Sequence, residues 1–532
     1  MDSFDLLIVN GQVLDGTGNP PLPAAVGVVG DELRIVRGSA TELLAGRVID
    51  AAGHVVAPGF IDLHSHSGLV LMAEPDHEAK VRQGVTTEVV GVDGCSYAPF
   101  RSPEDLEKFV RLNAGLDGRP DVPYDWNSVA DYLTRFDRRI SLNVAMLIGN
   151  SALRVCAIGW EDRPPNTAEM EDMQALIREG MEEGAFGIST GLDYPPGAHA
   201  GTEELTALSA ESARRGGMYH THVRYQLGDR YLDPFREALE IGRGSGCPIH
   251  LTHLYRRATM PGGSGPMLDL VDEARAKGMD VTFDTYPYEW SSTRLLILMP
   301  LWVQEGGPDR ILERLADPTL RERIRQDVDA RGASYAGESV WGTIRLGHFR
   351  DPDNAQFEGA TLAEVMEARQ QHPADAMIDL LLSEDLGVNE VALGPHGPSM
   401  AAFIKHPAGM VGSDSVFIGD KPSPRTYGSF PRILGEFVRD ERVLGLPEAI
   451  RKMTSFAALR LGLVDRGLLK DGFKADIVVF DPATVRATAT YARPKQYPEG
   501  IPYVAVNGQL VVDGGRHTGA HPGRALRHGR PA

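Results

Sequence analysis

The chain has 532 residues, of which 42% are hydrophobic and 24% are charged, a composition that excludes wholesale disorder. Its 73 acidic residues outnumber 54 Lys and Arg residues, and the resulting net charge of -19 disfavours nucleic acid and membrane surfaces as partners. Three cysteines, Cys95, Cys156 and Cys247, are too few for a disulfide framework and are typical of a reducing compartment. The sequence shows no signal-peptide pattern and no apolar run of transmembrane length, so we expect a cytoplasmic protein.

Both ends of the chain are predicted to form β structure. Short Val- and Ile-rich runs with Asn-Gly and Asp-Gly turn signals occur before residue 58 and return at 473–482 and 503–515. We expect residues 1–57 and 467–515 to build one small β-sandwich domain together. The remaining residues, 516–532, are expected to be a loosely packed tail.

Between the two ends, eight short apolar runs alternate with stretches that are mostly long enough for helices. Such near-continuous runs are typical of buried parallel strands, and eight β/α repeats favour a (β/α)8 TIM barrel of the α/β class. The runs are 59–64, 86–92, 142–149, 185–190, 217–223, 247–254, 279–286 and 409–414. We expect the barrel domain to cover 58–466. The long gap before the last run predicts an insertion at about 290–408 that could cover the barrel mouth.

Histidines and aspartates stand where these runs end, and active sites of such barrels lie at the carboxyl ends of their strands. The residues concerned are His64, His66, Asp93, His222, His253 and Asp414. A His-x-His pair on a strand turns both rings to the same side, because side chains alternate with a period of two. Convergent imidazole and carboxylate ligands suit zinc. The sequence therefore predicts a metal site at the barrel mouth.

Several motifs, taken in order, resemble the amidohydrolase superfamily, and most closely its D-aminoacylase (N-acyl-D-amino-acid deacylase) branch. The similarity runs almost from end to end. Its carriers include APGFIDLHSH (57–66), QGVTTEVVG (83–91), ISTGLDYPPG (188–197), THVR (221–224), GSD (412–414), PRTYGSFPRILG (424–435) and GFKADIVVFDP (472–482). The resemblance implies a hydrolase that uses one or two divalent ions, zinc above all.

The same resemblance assigns metal ligands residue by residue. It implies that His64, His66, His222 and His253 bind metal, whereas His220 and His250 are the upstream members of doubled pairs and are not ligands. The branch carries a metal-binding cysteine in Gly-Asn-Cys-Gly after the second strand. In this chain the segment reads GVDGCS, so Asp93 takes the ligand position. The alternative that Cys95 binds metal, and the number of ions, stay open.

The resemblance also implies roles around the substrate. Asp414 is expected to act as general acid and base, and Arg425 is expected to hold a substrate carboxylate. The side chains of Tyr194, Tyr288 and Ser292 match pocket positions of the branch. Tyr255 stands where the branch often has a lysine, so we expect a pocket that prefers apolar amino acids to Asp or Glu.

The sequence thus predicts a deacylase that hydrolyses the linear amide of a small N-acyl amino acid. Three alternatives remain: removal of an aminoacyl group from a natural-product precursor, a cyclic amidase of the dihydroorotase or hydantoinase type, and an inactive metal-free scaffold. The cyclic amidases typically carry a carbamylated lysine on the fourth strand, and the fourth run here, GISTGLDY, has none. Neither nucleic acid nor membrane is expected as a partner. The acyl group, the stereochemistry of the amino acid and homo-oligomer formation are left open.

Overall fold

The computed structural model describes residues 3–38, 43–225, 230–256, 263–334, 340–394 and 396–530. Its largest unit is a ring of parallel strands in the order of the predicted runs. The eight barrel strands are Phe60–Asp62, Val85–Val90, Asn143–Met146 continued by Ile148–Gly149, Gly187–Gly191, Met218–His222, Ile249–Leu251, Val281–Thr285 and Gly409–Val411. The ring closes where the backbone N–H of Asp414 donates to His64 O at 2.9 Å and Ser65 bridges Ser415 in parallel. The predicted TIM barrel is confirmed.

Helices surround this ring and occupy the insertion. Those between the strands are amphipathic or apolar on the inner face; in Thr167–Glu183, for example, Asn166 and Glu169 form a capping box and Met173 and Ile177 are buried. The helices are Val70–Ala73, Glu78–Val81, Pro103–Leu112, Ala114–Asp117, Val129–Leu133, Asn150–Ala157, Thr167–Glu183, Thr202–Ala213, Asp233–Ser245, Gly265–Ala276, Gly307–Ala316, Arg321–Ser334, Leu362–Arg369, Pro373–Ser383, Gly397–Lys405, Arg425–Arg432 with its π-helical continuation Ile433–Asp440, Leu446–Met453 and Ser455–Leu461. Each of them in the described ranges is too short or too polar to cross a bilayer.

Two further sheets pack together beside the barrel. One holds Ser3–Val9, Ala25–Val29, Glu32–Val36 and Leu44–Asp50. The other holds Gln12–Val13, Val55–Pro58, Ile477–Phe480, Tyr503–Val506, Gln509–Asp513 and Arg516–His517. Antiparallel pairing of Val55–Pro58 with Ile477–Phe480 joins the two ends of the chain, and Ile8, Val26 and Val479 share one apolar core. The predicted sandwich from both termini is confirmed, while its boundaries remain predictions.

The expectation of a loosely packed tail is wrong for the segment 522–526, which packs against the barrel, whereas several residues on either side of it are exposed. The backbone N–H of Leu526 donates to Val144 O at 2.7 Å on the third barrel strand. Its side chain is only 1% exposed and packs with Ile61 and Val89 of the first two strands. The apolar pair Ala525-Leu526 explains this, because its burial outweighs the polar residues around it.

The predicted insertion between the seventh and eighth barrel strands is also confirmed. It contains an antiparallel sheet of Trp290–Arg294, Asn389–Leu393 and Ile344–Gly347, together with its own buried core. Because this sheet stands over the carboxyl ends of the barrel strands, its residues contribute one wall of the cavity described below.

Candidate metal centre

Six buried side chains meet where the barrel strands end, and we call them the histidine cluster. They are His64, His66, Asp93, His222, His253 and Asp414, and each is at most 6% exposed. The sequence predicted this set because all six follow strand ends, and the structure brings them together. Three of them, Asp93, His253 and Asp414, have positive φ angles of 50°, 30° and 48°. Non-glycine residues in this region store backbone strain, which concentrates at functional sites.

Asp93 is the centre of the histidine cluster. Its Oδ2 lies 3.4 Å from His64 Nε2, 3.4 Å from His222 Nδ1 and 3.3 Å from His253 Nε2. It belongs to two groups whose ligand atoms lie within 4.8 Å of one another: one with His64, His66 and Asp414, the other with His222 and His253. Asp93 is therefore the one carboxylate that the two groups share, and it would help to hold a metal in either of them.

Charge favours the ionised form of Asp93. Burial alone would raise its pKa, but His64 and His253 hold the pKa well below the ordinary value of an aspartate. The carboxylate is therefore available as a metal ligand at neutral pH, since metals bind the deprotonated form.

The arrangement fits a zinc ion. Both ring nitrogens of His64 are buried without a hydrogen-bond partner, which is a costly state for an imidazole unless a ligand completes it. The distances from Asp93 Oδ2 to its neighbours match the ~3.3 Å expected between two ligands of one tetrahedral zinc ion with bonds of ~2.0 Å. The donor set of imidazoles and carboxylates is one that zinc prefers. Both groups around Asp93 therefore qualify as places for a divalent ion.

Further carboxylates orient the histidines from behind. Asp117 Oδ1 accepts from His66 Nδ1 at 2.9 Å, and Asp193 Oδ2 accepts from His222 Nε2 at 3.1 Å. Sequence reasoning missed both residues, because each lies in a loop or a short helix and not at the end of an apolar run. Such outer carboxylates fix the orientation of metal-binding histidines.

Asp414 is positioned to exchange protons. Its Oδ2 forms an ion pair with Arg425 Nη2 at 2.8 Å, and its Oδ1 lies 3.4 Å from His66 Nε2. Burial alone would raise the pKa of Asp414, but Arg425 and His64 lower it to about 2. The group is therefore ionised at neutral pH and able to accept a proton.

A cavity of about 290 Å³ opens above the histidine cluster. Cluster residues form its floor, and the barrel loops and the insertion supply aromatic, apolar and hydroxyl walls together with one carboxylate and one imidazole. The wall residues are Tyr194, Tyr255, Tyr286, Trp341, Ile297, Leu298, Val340, Ile344, Ala392, Leu393, Gly394, Ser291, Ser292, Thr293, Thr343, Glu390 and His396. No lysine or arginine stands among the described residues that line it.

The structure places some of the predicted substrate-binding residues in the cavity and others outside it. Tyr194, Tyr255 and Ser292 line the cavity. Arg425 is fully buried just outside it: Nη2 reaches Asp414 and also Ser292 O at 3.3 Å, while Nε and Nη1 have no hydrogen-bond partner. Tyr288 lies elsewhere, with its ring under the Arg432 guanidinium at 4.5 Å in a separate cavity.

The prediction for Tyr288 is therefore corrected, and Tyr286 lines the cavity instead. The two tyrosines of the Tyr-Pro-Tyr segment follow the seventh strand, which ends at Thr285. Beyond that point the strict alternation of a strand no longer applies, so the sequence offered no physical means of choosing between them.

Cys95 lies apart from both ligand groups. Its Sγ contacts Asn113 Oδ1 at 3.7 Å, and burial raises the pKa of its thiol to about 12. His220 and His250 stack on each other at 5.0 Å, below the histidine cluster.

A second set of buried charges, which we call the lysine cluster, adjoins the histidine cluster. It consists of Asp62, His77, Lys80 and Glu88. Lys80 Nζ is paired with Asp62, lies 3.3 Å from Glu88 Oε1, and donates to Ser413 Oγ at 2.7 Å. Glu88 also contacts His77 at 3.0 Å. These contacts join barrel strands one, two and eight at the closure of the ring.

Comparison with known proteins finds the same family over nearly the whole chain. A profile of the amidohydrolase family matches residues 47–512. A D-aminoacylase of Alcaligenes xylosoxydans xylosoxydans is 34% identical over 98% of this chain and 97% of its own length. An N-acyl-D-glutamate deacylase of the same organism is 35% identical over 99% and 97%.

Solved structures agree with these relatives. The N-acyl-D-glutamate deacylase of Bordetella bronchiseptica, crystallised with zinc and a phosphonate inhibitor that mimics the tetrahedral intermediate, superposes with a TM-score of 0.82. It is 32% identical and the match covers 99% of this chain and 100% of that one. An L-hydantoinase of Arthrobacter aurescens, at 13% identity and a TM-score of 0.58 over 98% and 100% of the two chains, shares the fold alone.

Proposed function

The chain belongs to the amidohydrolase family, and we propose that it is a zinc-dependent deacylase that hydrolyses the linear amide bond of N-acyl amino acids. One observation carries this proposal. Asp93 shares its carboxylate between two groups of buried histidines beneath a cavity, and Asp414 belongs to the first of these groups and lines the cavity. The products are a carboxylic acid and a free amino acid, with one water molecule consumed.

His64, His66, Asp93, His222 and His253 would hold the metal. When bound, zinc supplies a Lewis acid that polarises a carbonyl group and lowers the pKa of water. Asp414 accepts the proton of the attacking water at a carboxylate oxygen and delivers it to the departing amide nitrogen. The Arg425 guanidinium keeps Asp414 ionised and fixes its second oxygen at 2.8 Å, so that the first oxygen stays near His64 and His66.

The walls of the cavity support an apolar substrate side chain. Three tyrosines and a tryptophan line it, together with Ile297, Leu298 and Ile344. The described lining offers no lysine or arginine to balance a second carboxylate. Arg425 stays our candidate for the α-carboxylate because its Nε and Nη1 have no hydrogen-bond partner, although its side chain is buried just outside the cavity. The relatives include enzymes named for N-acyl-D-glutamate and N-acyl-D-aspartate, and these names support a D-amino acid.

The test is a panel of N-acetyl amino acids with zinc-loaded enzyme. We expect kcat/KM for N-acetyl-D-leucine and N-acetyl-D-phenylalanine to exceed that for N-acetyl-D-glutamate and for the L-enantiomers. Metal-stripped enzyme is the matched control and should regain activity when zinc is restored. Activity that survives removal of all metal would refute the proposed function, and N-acetyl-D-glutamate as the best substrate would refute the pocket assignment.

We also propose a cytoplasmic location, since the three cysteines stand free and at least half-buried, as is usual in a reducing compartment. A small-molecule amide is the partner that the cavity fits. Nucleic acid and membrane surfaces are disfavoured by the net charge of -19.

A further inference from the structure

The segment 481–500, which we call the C-terminal hairpin, connects two strands of the sandwich. Near its base, the backbone N–H groups of Arg486 and Glu499 each donate to the carbonyl oxygen of the other, at 3.2 and 3.1 Å. At its tip, Thr490 and Arg493 form the same reciprocal pair at 3.1 Å. Because both pairs join the two arms, the tip is a defined turn.

The tip of the C-terminal hairpin contacts the insertion sheet through Tyr491. The ring of Tyr491 stacks on that of Trp290, with centroids 4.3 Å apart and planes 23° apart, and the Arg345 guanidinium lies 4.7 Å from its centroid. Trp290 begins one strand of the insertion sheet and Arg345 lies on another, so one side chain touches two of the three strands. Stacked rings and guanidinium–ring contacts both stabilise such an arrangement. Tyr491 Oη is buried without a hydrogen-bond partner among the described residues, so the ring makes the contact and the hydroxyl does not.

The strand that Tyr491 touches forms part of the cavity wall. Residues 291–293, which directly follow Trp290, line the cavity. The far end of the same strand is tied to the barrel, because Arg294 Nη1 donates to Asn113 Oδ1 at 2.7 Å. The cavity-lining strand is therefore held at both ends, by the barrel at one and by the C-terminal hairpin at the other.

We propose that Tyr491 is a positioning residue that fixes the wall of the cavity contributed by the insertion. Tyr491 itself is absent from the described lining and acts through Trp290 and Arg345, whose chain neighbours line the cavity. Loss of the ring frees one end of the cavity-lining strand, and the substrate then has to order that strand when it binds. Such an ordering cost weakens substrate binding and leaves the chemical step unchanged. The inference rests on the proposed deacylase function for its kinetic readout alone.

The decisive variant is Tyr491→Ala, assayed as zinc-loaded enzyme with the best substrate of the N-acetyl amino acid panel. We expect KM to rise on the order of 10-fold, as loss of a ring pair and a guanidinium–ring contact can produce, and kcat to change less than about threefold. Tyr491→Phe keeps the ring and should have the parental KM, because the hydroxyl has no partner among the described residues. A parental KM in Tyr491→Ala, or a raised KM in Tyr491→Phe, would overturn the inference.

Tyr497 provides a matched control on the same hairpin. Its ring also packs against a guanidinium, that of Arg82 at 3.8 Å from the ring centroid, but Arg82 lies outside the insertion. Tyr497→Ala removes the same atoms from the same segment and should leave KM as in the parent. An equal rise of KM in Tyr497→Ala and Tyr491→Ala would mean that any loosening of the hairpin suffices, and would refute the specific role of Tyr491.

Hydrogen exchange tests the same inference without a substrate. The amides of Trp290–Arg294 and Ile344–Gly347 should exchange faster in Tyr491→Ala than in the parent, while the barrel strands keep their parental rates. Tyr491→Leu, which keeps an apolar side chain but no ring, gives the same comparison if the alanine variant is too unstable to purify.

The two readouts keep the two proposals apart. Parental exchange rates in the insertion sheet of Tyr491→Ala, or of Tyr491→Leu in its place, would overturn the role of Tyr491 whatever the substrate proves to be. A parent enzyme without deacylase activity would contradict the proposed function, and the exchange rates would still decide whether Tyr491 holds the insertion sheet.

Discussion

The histidine cluster and the lysine cluster are both buried sets of charged groups, and they touch through neighbouring residues, yet their hydrogen bonding differs. Lys80 meets oxygens of Asp62, Glu88, Ser413 and Ser415. His64, two residues from Asp62, has neither ring nitrogen hydrogen-bonded. A buried cluster whose polar atoms all have partners within the protein stabilises the fold. A buried cluster with polar atoms that have no partner is suited to bind a ligand.

Asp93→Ala gives the largest expected effect, because it removes the one carboxylate that both ligand groups share. We expect the purified variant to lose bound zinc and, with it, deacylase activity. Metal analysis by plasma mass spectrometry after dialysis measures the first, and turnover of N-acetyl-D-leucine the second. A variant with parental zinc content would show that the histidine cluster does not depend on Asp93.

Asp414→Asn is expected to lower kcat by on the order of 10²-fold or more, as is usual when a positioned general base is removed. Five other members of the histidine cluster remain, so zinc content should stay near that of the parent. The two measurements together distinguish this variant from Asp93→Ala. Retention of more than a tenth of the parental kcat would contradict the assigned role.

Lys80→Met tests the other side of the comparison. It leaves Asp62 and Glu88 buried without their cation, so the free energy of unfolding of the zinc-free protein should fall by about 3–5 kcal/mol. Denaturant titration measures the change. The zinc affinity of the folded fraction should change far less than in Asp93→Ala. A loss of zinc binding without a loss of stability would show that the lysine cluster serves the metal site and not the fold.

Cys95→Ser should have the smallest effect. The thiol contacts Asn113 and no member of the histidine cluster, so zinc content and kcat are expected to stay at parental values. Stability should change by about 1 kcal/mol, as is common for a small change of a buried side chain. Loss of zinc in this variant would mean that the ligand position after the second strand belongs to Cys95.

Much of the barrel and its mouth was predictable, because parallel strands are apolar along their length and their carboxyl ends converge. The runs that contain His64, His222 and His253 illustrate this, since strand, strand end and ligand type coincide in the sequence. The roles of Asp117 and Asp193 were not predicted, because their histidine partners are distant in sequence. A single sequence does not indicate which loop will contact a given ring nitrogen. Tyr286 and Tyr288 were ambiguous because their segment has left the strand.

The pairing of Val55–Pro58 with Ile477–Phe480 has a consequence for folding during synthesis on the ribosome. The two strands are separated by about 420 residues, so at 5–20 residues per second the first emerges from the ribosome roughly 20 to 80 s before its partner. During that interval its backbone edge is uncovered and free to pair with another nascent chain. We therefore expect slow elongation or early termination to cause aggregation of the incomplete chains. The nascent chain should depend on chaperones until about the last 60 codons, which encode the partner strand, have been translated.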